Sequence, residues 1–218
     1  MIKQLHFLEM SSARLIASIF GVLAGIGGIM HGPGEILQGN VTPDGIFINS
    51  WTLEPIATNV GGEPAMTIIP NLLLSGVLTI LVSLSVLIWA AFFIEKRHGG
   101  LVLIILSFLM LLVGGGFAPP LVGLFAGISG LGINGSVPRW YASLPEKIRK
   151  GLVTIWPWLF VVCVLDGVIL ILGALIFAYI FGLNIPSVWV FCFLTLMPLL
   201  LFTIITGVAR DIQMGKVK

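Results

Sequence analysis

The stretch that decides the fold is GGGFAPP, Gly114–Pro120, which breaks an apolar run covering residues 100–134. Three glycines favour a turn, and Pro119 or Pro120 suits the first turn of a new helix, so two helices should meet here. Whether they form one broken span, a re-entrant hairpin or two short spans depends on the charges on either side. Lys96 and Arg97 precede the run, and Arg139, Lys147, Arg149 and Lys150 follow it. Cytoplasmic loops concentrate Lys and Arg, which places both clusters on one side. The chain must then go out and come back between them.

The remaining basic residues extend the same logic. Lys3 and Arg14 lie near the start, and Arg210, Lys216 and Lys218 near the end, completing the 11 Lys and Arg of the sequence. Segments 31–67, 114–118 and 183–186 contain none, while the first of them holds Glu35, Asp44, Glu54 and Glu63. Apolar runs at 13–31, 68–94, 100–116, 119–134, 152–182 and 187–209 therefore predict an all-α, polytopic integral membrane protein. Six transmembrane helices with both termini cytoplasmic satisfy every basic loop, the third and fourth being short and joined by GGGFAPP. Five spans would leave one basic cluster outside.

Composition points the same way. Of 218 residues, 58% are hydrophobic and 9% charged, with a mean hydropathy of +1.13. Soluble domains carry about 25% charged residues. We expect one membrane domain over 1–218, with 31–67 as an extracytoplasmic loop and 135–151 as a cytoplasmic interfacial segment mixing basic and aromatic residues. The first run lacks a small-residue cleavage site and reads as a retained span. The expected location is the cell membrane, plasma or inner, with multiple passes.

Small residues recur every four positions in the first span, at Ala13, Ala17, Gly21 and Gly25, and again at Gly123 and Gly127 in the fourth. In lipid such stripes allow close helix packing, here within one chain rather than between chains. Cys163 and Cys192 read as buried thiols. Counting from a turn near Asn184 sets their depths roughly 18 Å apart, too far for a disulfide.

Asp166 stands in VVCVLDGVIL, Val161–Leu170, with no basic residue nearby. An acid at mid-bilayer costs roughly 2.5–3.5 kcal/mol by insertion scales, so it should face the bundle interior. Thr79 and Ser83 belong to a polar stripe, Asn71-Ser75-Thr79-Ser83, that reaches mid-depth in the second span. Pro198 leaves the Leu194 carbonyl without its helical donor, and Thr195 is adjacent. Asp166, Thr79, Ser83, Leu194 and Thr195 are thus candidates for handling a proton, an ion or a polar substrate group. The competing reading is hydrogen bonding that only joins helices.

In the outer segment, His31 and Glu35 would share a face if the first helix continued, but Gly32, Pro33 and Gly34 argue that it stops. No metal site or cofactor is expected. Walker A, HExxH, CxxC and GxSxG motifs, and paired histidines for haem, are absent from the sequence. The pattern from Arg14-Leu15 to His31-Gly32 resembles the first helix of DoxX-type small membrane proteins. That resemblance covers this helix alone, lacks a basic residue after the His-Gly pair, and implies no activity here.

The functional expectation is a small transporter, carrier or channel-like subunit using Asp166. The alternative is a non-catalytic membrane subunit or scaffold that binds partner proteins. An enzyme with its site on the outer loop is disfavoured, because that loop shows no nucleophile–base pair. Expected partners are the lipid bilayer and either a second copy or a membrane partner protein, with no nucleic acid.

Overall fold

The computed structural model describes residues 10–53, 57, 62–135, 137–173, 176–177 and 186–216. They form a largely helical, apolar bundle consistent with a polytopic membrane protein. Helix α1 is Ser12–Gln38, and α2 is Leu72–Ile88 with a π-helical continuation, Trp89–Phe93. Helices α3, Gly99–Leu112, and α4, Ala118–Leu131, are short and apolar. A single turn, α5, Arg139–Ala142, precedes α6, Glu146–Val168, which continues as a π-helical turn over Ile169–Gly173. Helix α7 is Pro186–Gln213. Four of these are long and apolar enough to cross a membrane.

Helix α1 is the axis of the bundle. In its most apolar window 61% of residues are buried, against 33% for α2 and 28% each for α6 and α7. Its small-residue stripe explains this position. Gly21 lies against Ala90 and Leu103, Gly25 against Leu87, and Gly32 against the Gly76 carbonyl, so α2 packs almost backbone to backbone on α1. Ala17 is fully buried. Gly123 abuts Ser107, and Gly127 abuts Ile104, which closes the α3–α4 hairpin. Lipid offers helices no hydrophobic drive to associate, so such close contact supplies the attraction.

The sequence expectation for the end of α1 fails. The helix runs through Gly32, Pro33 and Gly34 to Gln38. Pro33 removes one amide, but the contacts around it hold the last turns in place. The Gln38 side-chain amide donates to the Asn49 and Ser50 carbonyls at 3.0 and 2.9 Å, and the Trp51 indole donates to the Met30 carbonyl at 3.1 Å. The flanking glycines are packing positions rather than breakers. Gly34 lies against Ser50 and Trp51. The segment after α1 also contains a small antiparallel pair, β1, Phe47–Asn49, with β2, Pro64–Met66.

Two further expectations need adjusting. Only one turn of the segment before α6 is a separate helix, because Glu146 already starts α6. Thr195 and Cys192 both lie beside Asp166, so Cys192 stands within about one turn of the level of Cys163. The 18 Å estimate used a turn near Asn184, which lies outside the described residues. Both thiols are free.

At the basic end, α1, α6 and α7 are tied together. Ser12 and Ala13 amides donate to the Asp211 carboxylate at 2.6 and 2.9 Å, and Arg14 pairs with Glu95 at 2.9 Å. Arg210 donates to the Ser12 hydroxyl at 2.8 Å and lies over the Trp156 ring.

Candidate functional site

The opposite end of α1 carries a row of buried polar groups. His31 and Glu35 are one helical turn apart and share a face because the helix continues past Pro33. The β1 strand delivers Ser50 between them. Its hydroxyl is 2.9 Å from His31 Nδ1 and 3.3 Å from Glu35 Oε1. On the other edge of the imidazole, Nε2 is 3.3 Å from Glu63 Oε2. Glu35 and Ser50 are both 0% exposed, and Glu35 Oε2 has no hydrogen-bond partner among the described residues.

Counting protons along this row limits its charge. An ionised Glu63 only accepts, so His31 donates to it from Nε2. Either His31 is neutral, accepts the Ser50 proton at Nδ1, and Glu35 brings a proton of its own to Ser50. Or His31 is protonated at both nitrogens, and Ser50 donates to an ionised Glu35. Both patterns place the same proton at opposite ends of Ser50. With Glu63 ionised, both leave the row with one net negative charge.

The GGGFAPP turn forms the lid of this row. Gly114 has φ +111° and Gly116 has φ +78°, values that L side chains rarely adopt. A Cβ on Gly114 would stand inside the Glu35 carboxyl, and one on Gly116 inside the His31 ring. The glycines thus do more than let the chain turn: they bring its backbone onto two polar side chains. Val113 closes the far side, where its carbonyl accepts from Ser75 at 2.8 Å and Thr79 at 2.5 Å.

Beside the row lies a cavity of about 420 Å³. Its walls come from Gly27 and Met30 of α1, Phe117 and Pro119 of the turn, Leu170 and Ile171 of the π-helical segment, and Trp189 and Phe193 of α7. His31 and Glu63 supply its polar end. π-helical turns often occur at functional sites, because the extra residue re-aims its neighbours. Glu63 adds a second mark of strain. Among the described residues it is the one non-glycine with a positive φ, +51°. That conformation costs roughly 1–2 kcal/mol. At the cavity rim, Val190 and Leu194 are 58% and 64% exposed, so the mouth lies on the α7 side.

The candidates taken from the sequence divide between two places. Asp166 is half-buried and accepts from the Thr195 hydroxyl at 2.9 Å, so those two meet. That hydroxyl also lies 2.9 Å from the Phe191 carbonyl. Thr79 and Ser83 do not join them. They face α1 on the far side, where Thr79 serves Val113 and Ser83 lies against Gly28 and Met110. Leu194, proposed for its backbone carbonyl, lies at the cavity rim. The Asp166–Thr195 contact therefore joins α6 to α7, as a helix-bridging hydrogen bond does.

Sequence reasoning missed Ser50 and Glu63 and set aside His31 and Glu35. With Ser50 and Glu63 on its two nitrogens, His31 has the connectivity of a nucleophile–base–acid triad. Ser50 is nevertheless fully buried and absent from the cavity wall, so its hydroxyl reaches no substrate there. No protein-family profile, curated protein or solved structure matches the chain.

Proposed function

We propose that this chain is a six-span membrane protein with its basic loops and both termini on the cytoplasmic side, and that it binds a small, mainly apolar molecule in the cavity at the outer end. The cavity beside His31 and Glu63 is the observation that carries the reading. Ligand sites are typically concave, largely apolar and ended by a few polar groups. A carrier or ligand-binding subunit requires such a site, whereas a scaffold does not.

The hairpin α3–α4 supports two full passes rather than a shallow re-entrant loop. At one end Ser129 donates to the Ala13 carbonyl, and at the other Gly116 covers His31. Along α1 those levels are roughly 27 Å apart, close to the ~30 Å hydrocarbon core. Cysteines introduced at Asp44 should react with an impermeant thiol reagent added outside intact cells, and cysteines at His98 or Lys147 should not. Outside labelling at Lys147 would refute the orientation.

The binding reading is tested by filling the cavity. Native mass spectrometry of the protein in mild detergent should show a retained small molecule, or saturable uptake of the neutral dye Nile red. Ala118→Phe, which projects a ring into the space beside Phe117, should weaken either by about tenfold or more. Equal retention by the variant would rule the cavity out as the site.

A further inference from the structure

We propose that the cavity selects a lipophilic cation, a molecule with an apolar body and a positive centre that sits against Glu63; this rests on the cavity being a binding site. Three observations converge on that chemistry. With Glu63 ionised, the Glu63–His31–Ser50–Glu35 row carries one net negative charge whichever end of Ser50 holds the shared proton. Burying such a charge is unfavourable unless an opposite charge meets it.

No basic side chain of this segment can do so. Residues 31–67 contain no Lys or Arg, and the basic cluster of α1, α6 and α7 lies at the other end of the bundle. The cavity walls supply the second half of the recognition. Phe117, Trp189 and Phe193 line a space whose only acidic lining residue, among the described residues, is Glu63. Aromatic faces attract cations, and more strongly where water is excluded.

Glu63 itself supplies the third argument. Its left-handed backbone would be relaxed by glycine, yet the position carries a carboxylate that reaches the cavity. A side chain kept at a strained position is accounted for when the carboxylate has a role that glycine cannot fill.

A pair of probes with the same shape and opposite charge tests this directly. Tetraphenylphosphonium and tetraphenylborate are titrated into the full-length protein in uncharged detergent. Cavity binding is taken as the part that Ala118→Phe removes, and Val190→Trp at the mouth is a second blocking variant in case the first misfolds. The phosphonium should bind at least about tenfold more tightly than the borate. Glu63→Gln, which keeps size and a hydrogen bond to His31, should reduce that preference to within about threefold while leaving the helical content unchanged. Equal binding of the two ions by the wild type, or preference for the borate, would overturn the cation assignment and leave the cavity as a binding site. Cavity-dependent binding of neither ion would overturn the assignment, while retention of a neutral ligand that Ala118→Phe weakens would preserve the binding-site reading. A phosphonium preference that survives Glu63→Gln would also overturn it, since the charge of Glu63 would then not be the selecting group.

Discussion

Gly114→Ala should destabilise the protein by about 3 kcal/mol or more, a loss readable from its unfolding by SDS titration in mixed micelles. Two costs add at this position. At φ +111° any L side chain is strained, which accounts for roughly 1–3 kcal/mol. The new Cβ would also enter the space of the Glu35 carboxyl, and Glu35 is fully buried with no open side to move into. Overpacking of that kind costs another 1–3 kcal/mol or so. Gly151→Ala provides the contrast. Gly151 lies in α6 with no atom near its would-be Cβ, so alanine there should stabilise the helix by up to about 1 kcal/mol. Similar losses at Gly114 and Gly151 would show that Gly114 is only a flexible link. The expected difference instead makes GGGFAPP a fitted cover over Glu35 and His31.

Those glycines also show which part of the site a sequence can reveal. GGGFAPP announced a turn between two short helices, and α3 and α4 end and begin on either side of it. The four-residue spacing of Gly21 and Gly25 announced a packed face, and its neighbours are residues of α2. Period and turn chemistry are local, so they can be read from local sequence. The polar row could not be read that way. Ser50 and Glu63 meet His31 from 19 and 32 residues further along, through a loop without periodicity. The pattern Ser75-Thr79 was visible, but its acceptor, the Val113 carbonyl, is 38 and 34 residues away. Pro33 misled for a different reason. Helix propensity is a weak prior, and Gln38 and Trp51 overrule it by binding the last turns of α1 to the segment that follows it. One sequence signal did point to the site. The segment 31–67 holds several acids and no Lys or Arg, and two of those acids, Glu35 and Glu63, stand in the polar row.

The tie at the opposite end of α1 should matter as much to stability and not at all to binding. Ser11 caps α1 by accepting from the Arg14 amide at 3.2 Å, which leaves the first two helical amides, of Ser12 and Ala13, to find partners. Both donate to Asp211, which is 1% exposed and arrives from the last turn of α7. A carboxylate suits that place twice, because it accepts two hydrogen bonds and its charge complements the positive end of the helix dipole. Hydrogen bonds to a charged group contribute about 1.5–3 kcal/mol each, and water at the interface would recover part of what is lost. Asp211→Ala should therefore cost about 2–4 kcal/mol, and Asp211→Asn about half of that, since an amide keeps one accepting oxygen. SDS unfolding of the three proteins measures the order, and a loss under about 0.5 kcal/mol for Asp211→Ala would show that the tie is incidental. Tetraphenylphosphonium affinity of the folded variants should equal that of the wild type, because the cavity lies roughly 27 Å along α1 from this clamp. If affinity falls with Asp211, the two ends of α1 are coupled; if it holds, α1 acts as a rigid axis whose basic end fixes the bundle and whose opposite end borders the cavity.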